Sequence, residues 1–163
     1  MATPTTLPAS FTAGQVLTAA QMNSVRGAFR ILQVVSANYS TTATSTTTVY
    51  ADTGLTASIT PSSATSKILV MVHQNGIARN STGNVNLKLF RNTTDLSHQF
   101  AKDAGQAATT GDNYVGTCST TYLDSPATIS ATSYKTQFMS TGSTGFVQVG
   151  SSSSTITLME ISA

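Results

Sequence analysis

The stretch Ser66-Lys67-Ile68-Leu69-Val70-Met71-Val72-His73-Gln74 is the longest apolar run of the chain and decides its fold class. Its shortness, its β-branched residues and the Asn-Gly pair that follows it indicate a strand rather than a helix. Alternate side chains of a strand point to opposite faces, so the run divides into two sets. The sets are Ile68, Val70 and Val72 on one face, and Leu69, Met71 and His73 on the other. Because both sets are largely apolar, we expect a central strand that is covered on both sides. One cover is the protein's own core, and a second copy of the chain is a candidate for the other.

Turn signals at short spacing divide the rest of the chain into further strand candidates. Asn75-Gly76 predicts a hairpin, with Ile77 beginning the return strand. The other candidates are residues 29–35, 55–60, 85–91, 96–100, 114–123, 128–138, 146–149 and 154–161. Residues 38–48 are either a loop or a Thr-rich edge strand, and Asp52-Thr53-Gly54 indicates a turn. In the segment 85–91, alternation places Phe90 on the side opposite to Leu87 and Leu89. This pattern predicts an all-β fold, an antiparallel β-sandwich or jelly-roll-like domain.

The N-terminal part of the sequence differs from this β pattern. Residues 1 to about 17 are small, polar and proline-bearing, and we interpret them as an extended tether. Thr18 and Gln21 have the spacing of a capping box, which predicts a short helix from Ala19 to Val25 or Arg26. Two helical turns are not stable alone, so the helix must dock on a partner through Leu17, Met22 and Val25. We therefore expect two units, residues 1–27 and 28–163, with the boundary near Gly27.

The composition favours a protein that functions within an assembly. Only 9% of the 163 residues are charged, against about 25% in a typical domain. The formal net charge is +2, so little repulsion opposes association between copies. The basic residues are scattered, which predicts no nucleic-acid partner. No segment is long and apolar enough for a membrane span, so no membrane partner is expected.

Residues with catalytic or metal-binding potential form no convincing constellation. Four of the six acidic residues fall in predicted turns, where Asp is favoured for backbone reasons. His73, His98 and Asp95 lack a spacing that would define a metal site. The single Cys118 excludes an intramolecular disulfide and a multi-cysteine zinc site, and we interpret it as a structural thiol. We predict that the protein is not an enzyme and has no catalytic, cofactor-binding or metal-binding residues.

The segment Phe11-Thr12-Ala13-Gly14-Gln15-Val16-Leu17-Thr18-Ala19-Ala20-Gln21-Met22-Asn23 resembles the opening of tail fibre and minor tail proteins of tailed bacteriophages. Three phrases of the β region also resemble modules of phage fibre proteins. They are Ser58-Ile59-Thr60-Pro61 with Ser66-Lys67-Ile68-Leu69-Val70, then Tyr122-Leu123-Asp124-Ser125-Pro126, and Ser154-Thr155-Ile156-Thr157-Leu158-Met159-Glu160-Ile161.

The resemblance implies a virion protein, a homotrimer whose N-terminal segment docks on other virion proteins of the tail, baseplate or capsid. The expected attachment residues are Phe11, Val16, Leu17, Thr18, Gln21, Met22 and Val25. The residues expected in trimer or core packing are Leu69, Met71, His73 and Phe90. Host surface glycans or receptors are further expected partners, with residues 101–112 as the loop to contact them.

Two alternatives to the fibre remain open. The chain is short and has no repetitive shaft, which leaves room for a capsid decoration protein. A carbohydrate-binding module is the alternative of another class, although the absence of Trp weakens it.

Overall fold

The computed structural model describes residues 13–14, 16, 18–19, 22, 31–80, 84–104 and 116–162. In these ranges the fold is built almost entirely of strands. They are β1 (Ile31–Tyr39), β2 (Ala43–Ser45), β3 (Ala51–Ile59), β4 (Lys67–Arg79), β5 (Asn84–Arg91), β6 (Thr94–Ala104), β7 (Gly116–Asp124), β8 (Thr132–Thr141), β9 (Gly145–Val147) and β10 (Ser154–Ile161). A 3-10 turn, Val149–Ser151, precedes β10.

The strands form two antiparallel sheets that pack face to face. The first sheet has the order β1-β10-β4-β7, and the short strands β9 and β2 extend it beside the far end of β4. The second sheet has the order β3-β8-β5-β6. If β2 and β9 are set aside, the eight remaining strands have the order of a jelly roll, in which successive strands change sheet except for the neighbours β5 and β6. The predicted all-β sandwich is therefore confirmed.

The strand β4 is central, as predicted, but it is longer than predicted. It pairs with β10 on one side and with β7 on the other, and its end pairs with β9. The predicted hairpin at Asn75-Gly76 is wrong, because β4 continues through these residues to Arg79. Gly76 instead lies in a bulge and has a φ of +64°. A Cβ there would lie 2.4 Å from the Val149 nitrogen, so the close approach of this backbone requires glycine.

Two hydrophobic cores fill the space between the sheets. The first contains Leu55, Ala57, Ile59, Ile68, Val70, Val72, Leu89, Tyr134, Ile156 and Leu158. The second contains Ile77, Val85, Leu87, Ala101, Phe138 and Val147.

A buried polar chain joins the two sheets between these cores. Thr53 and Thr136 share a hydrogen bond of 2.6 Å, and Thr136 donates to Gln74 Oε1 at 3.0 Å. Gln74 in turn donates to Ser154 Oγ at 3.0 Å. All four side chains are buried and hydrogen-bonded, so the chain fixes the relative position of the sheets without leaving these groups unsatisfied.

The described residues include only parts of the predicted N-terminal helix and of the predicted contact loop at residues 101–112. Met22 N donates to Thr18 O at 3.0 Å, and Ala19 and Met22 are helical, which agrees with a helix beginning after Thr18. The rest of that predicted helix lies outside the described residues. Residues 101–104 of the predicted contact loop belong to β6, so the loop begins later than expected, and residues 105–112 also lie outside the described ranges.

Candidate functional site

The outward face of the first sheet carries a straight row of apolar side chains. Val34 of β1 lies opposite Met159 of β10, which lies opposite Leu69 of β4, which lies opposite Leu123 of β7. Directly opposed residues share one face of a sheet, with their Cβ atoms about 5 Å apart. These four residues are called the apolar row below. It crosses four strands, over roughly 14 Å at the usual strand spacing.

The apolar row is open to solvent in the single chain. Val34 is 54% exposed and Leu123 is 49% exposed, while Leu69 and Met159 are half-buried. Ile31 and Leu32 extend the apolar surface at the start of β1, where the register between β1 and β10 shifts. An exposed, contiguous apolar patch marks an interaction surface more often than isolated exposed residues do.

The same face becomes polar towards its other end. The next row places Met71 between Thr157 and Thr121, and the row after that places His73 between Thr155 and Ser119. His73 Nδ1 and Ser119 Oγ are 2.5 Å apart, so the exposed imidazole is held by its neighbour. We call the three rows together the outer face. It offers apolar contact at one end and hydroxyl groups at the other.

The outward side of the second sheet has a different character. Its polar side chains pair with one another: Ser58 with Ser133 at 2.7 Å and Lys88 with Asp95 at 2.7 Å. Lys135 likewise pairs with Asp52 at 2.8 Å. Paired, partly exposed groups of this kind are compatible with water and add little to stability. The contrast makes the outer face of the first sheet the better candidate for association.

A buried carboxylate holds the β1 end of the apolar row in place. Glu160 is buried beside Met159 and accepts hydrogen bonds from Gln33 Nε2 at 2.6 Å and from Ser62 N and Oγ at 2.7 Å each. Burial alone would raise the pKa of Glu160, but the hydrogen bonds from Ser62 and Gln33 lower it to about 2. The ionised carboxylate therefore ties β1 and the segment before β4 to β10.

A second buried carboxylate holds the β7 end. Asp124 follows Leu123 and accepts two hydrogen bonds from Arg91 Nη1, at 3.0 and 2.8 Å. Tyr134 OH also donates to Asp124 at 2.6 Å. Asp124-Ser125-Pro126 indicates only a turn in the sequence, which does not reveal this structural role of Asp124. Because Arg91 and Tyr134 belong to the second sheet, this cluster locks β7 against the opposite layer.

The predicted packing residues do not all meet. Leu69, Met71 and His73 lie together on the outer face. Phe90 lies on the second sheet, where it is half-buried and alternates with the buried Leu89. It therefore points away from the core on the opposite side of the sandwich from the other three.

The predicted attachment residues fall largely outside the described chain. Of these residues, Val16 is 87% exposed and Met22 is 45% exposed, and Thr18 accepts the hydrogen bond from Met22 N through its carbonyl. Phe11, Leu17, Gln21 and Val25 lie outside the described residues.

Other potentially reactive groups have structural surroundings. The His98 ring is stacked with the Phe100 ring and tilted against the Tyr122 ring, and its Nε2 lies 2.6 Å from Thr120 Oγ1. Burial raises the pKa of the Cys118 thiol, which disfavours the nucleophilic thiolate. Within residues 31–80, 84–104 and 116–162 and the few described before them, no three His, Cys, Asp or Glu side chains cluster as metal ligands. In the same part of the chain, no helix has the length and apolarity needed to cross a membrane.

Comparison with known proteins gives no further guide to the role of these residues: no protein-family model and no curated protein sequence matches the chain.

Proposed function

We propose that the protein is a structural component of a tailed-phage virion, a homotrimeric fibre- or knob-type appendage. Residues 1–27 dock it on the particle, and the jelly-roll domain associates with copies of itself through the outer face. The resemblance of the N-terminal segment supports the virion role, and the resemblance of the β region to phage fibre modules supports the number of copies. The apolar row formed by Val34, Met159, Leu69 and Leu123 is the observation that carries the self-association.

The chemistry of the outer face favours another copy of this chain as its partner. The apolar row and the two rows that follow it contain no Asp, Glu, Lys or Arg. A strongly acidic or basic partner would find no complementary charge there. Two or three copies of this chain, each with a net charge of only +2, meet little electrostatic opposition. Their apolar rows would exclude water from one another, and their Thr and Ser hydroxyls would remain hydrogen-bonded at the polar end.

The size of the face indicates how strong the association should be. Four strands with about eight residues each present roughly 500 Å² on one side. A standard stable interface buries about 800 Å² per partner. The outer face alone is therefore smaller than a typical permanent interface, and we expect the assembly to depend on protein concentration.

The virion role is tested by immunogold labelling of purified particles with an antibody raised against residues 28–163. Label at the tail or its tip is the expected result. Label spread over the head would contradict the fibre and support the capsid decoration protein. Absence of the chain from purified particles would contradict both.

The trimer is tested separately by light scattering on the full chain over a range of concentrations. A mass that approaches three chains as the concentration rises is expected. A mass of one chain throughout would contradict self-association, whatever the labelling shows.

A further inference from the structure

A groove of about 310 Å³ opens on the outward side of the second sheet, away from the outer face described above. Its walls come from β3, from β8 and from the turn after β5. The lining residues used below are Asp52, Gly54, Thr56, Asn92, Ser133 and Lys135.

A bulge in β3 accounts for the groove. Asp52 pairs with Gln137 and Thr56 pairs with Lys135, so four residue steps of β3 oppose two of β8. The extra residues centre on Gly54, whose φ is +88°. A Cβ at Gly54 would lie 2.2 Å from the ring of Tyr39, so the ring packs directly against this glycine. Bulges of this kind redirect the strand and often lie beside binding sites.

The groove carries fixed polar groups with unused hydrogen-bonding capacity. Lys135 Nζ lies 2.8 Å from Asp52 Oδ1, which also accepts from Gln137 Nε2 at 2.6 Å. The Asp52 side chain is still 54% exposed, and carboxylate oxygens accept more than one hydrogen bond each. Burial alone would raise the pKa of Asp52, but the hydrogen bonds from Lys135 and Gln137 lower it, so this carboxylate is ionised at neutral pH.

Asn92 supplies the other side of the groove. Its Oδ1 accepts from Ser133 N at 2.9 Å, and its own N donates to Ser133 O at 2.8 Å. These two bonds fix the side chain. Among the described residues, none accepts a hydrogen bond from Asn92 Nδ2, so this donor is left for solvent or a ligand.

We propose that this groove binds a neutral carbohydrate through neighbouring hydroxyl groups. Asp52 accepts a hydrogen bond from one hydroxyl, and Lys135 and the Asn92 amide donate to hydroxyl oxygens beside it. A hydroxyl group both donates and accepts, so it suits a site that combines an ionised acceptor with fixed donors.

The charge of the groove selects a neutral ligand over an anionic one. Asp52 offsets the charge of Lys135, and the described part of the groove's lining contains no second cation. An anionic sugar would gain from Lys135 but would be repelled by Asp52. None of the described residues that line the groove is aromatic, so we expect no stacking against a sugar ring and an affinity per site in the millimolar range. The inference does not rest on the virion role, because one chain forms the whole groove.

The test is saturation-transfer NMR on the full chain with a panel of neutral methyl glycosides and disaccharides of glucose, galactose, mannose and N-acetylglucosamine. Sialic acid and glucuronic acid are the anionic comparators. At least one neutral sugar is expected to give a saturable signal that is weakened about tenfold or more by Lys135→Met and by Asn92→Asp. Asn92→Asp keeps the acceptor for Ser133 N and the same shape, so it should fold while it removes the amide donor.

Lys88→Met is the matched control, because Lys88 also forms an ion pair on this side of the sheet but does not line the groove. Its binding should stay within about twofold of the unaltered chain. Three results would overturn the proposal. They are no saturable signal for any neutral sugar up to tens of millimolar, an equal loss in Lys88→Met, and tighter binding of the anionic comparators.

Discussion

Glu160 accepts hydrogen bonds from both the backbone nitrogen and the hydroxyl of Ser62, each at 2.7 Å, although 98 positions separate the two residues. Gln33 donates to the other carboxylate oxygen at 2.6 Å. One ionised group therefore joins β1, β10 and the segment that leads into β4. The apolar row depends on this junction, because Val34 and Met159 are the sequence neighbours of Gln33 and Glu160.

The junction predicts an acid-sensitive fold. The pKa of Glu160 falls from an ordinary 4.5 to about 2 in the folded protein, so the unfolded chain takes up this proton first. The stabilisation from the carboxylate is fully present above pH 4.5 and is lost as the pH falls towards 2. Glu160→Gln should lower the free energy of unfolding by about 1–3 kcal/mol at neutral pH and flatten its pH dependence in this window.

Urea unfolding at a series of pH values measures both effects of Glu160→Gln. Asp95→Asn is the control, since it removes an exposed carboxylate and should cost less than about 1 kcal/mol. An equal pH dependence in Glu160→Gln and the unaltered chain would refute the assigned role of Glu160.

The Asp124 cluster predicts a tyrosine that resists ionisation. Burial, followed by the hydrogen bond to Asp124, raises the pKa of Tyr134 above its ordinary value of 10. The unfolded chain then loses this proton before the folded chain does, so the contribution of Tyr134 to stability falls as the pH rises above 10. Ultraviolet titration should show one tyrosine fewer ionising in the folded chain than in the urea-unfolded chain. In Tyr134→Phe, the folded and the unfolded chain should ionise the same number of tyrosines. If the difference of one tyrosine remains in this variant, the raised pKa is wrongly assigned to Tyr134.

The two glycines near the 3-10 turn give a matched test of backbone crowding. Gly76 and Gly150 have similar φ values, +64° and +67°. A Cβ at Gly76 would meet the backbone of Gln148 and Val149, whereas a Cβ at Gly150 would meet nothing within 4 Å. Gly150→Ala should therefore cost only the left-handed strain, about 1–2 kcal/mol, and Gly76→Ala distinctly more. Thermal or urea unfolding measures the loss of stability in each variant. Equal losses would mean that the backbone at Gln148 and Val149 can move away from a Cβ at position 76.

The sequence predicts the individual strands better than their connections. Alternation in the segment 67–74 identifies the buried set Ile68, Val70 and Val72 correctly, because burial of one face imposes a period of two. Asn75-Gly76 misleads because the left-handed conformation of Gly76 suits a bulge as well as a hairpin. The pairing of Ala78 and Arg79 with β9, and the packing of Gln148 and Val149 against Gly76, decide between the two.

The outer face is also harder to predict than the individual strands, because it depends on how the strands pair. Leu69 and Met71 are apolar on the outward side of the run, and the sequence shows this directly. The alignment of Leu69 with Val34 and Leu123 depends on pairings between strands that are far apart in the chain, which composition and periodicity do not contain. The bulge at Gly54 likewise depends on a shift of register between β3 and β8. The local signal of Asp52-Thr53-Gly54 predicts a turn, and this is wrong because β3 continues through these residues.

The most direct measurement of self-association through the outer face compares Val34→Lys with Val49→Lys by light scattering. Both changes place a charge at an exposed valine: Val34, 54% exposed, belongs to the apolar row, whereas Val49, 71% exposed, lies before β3 and outside the outer face. We predict a mass near three chains for the unaltered protein and for Val49→Lys, and a mass of one chain for Val34→Lys at the same concentration. A Val34→Lys protein that still assembles, or two variants that dissociate alike, would contradict association through the apolar row.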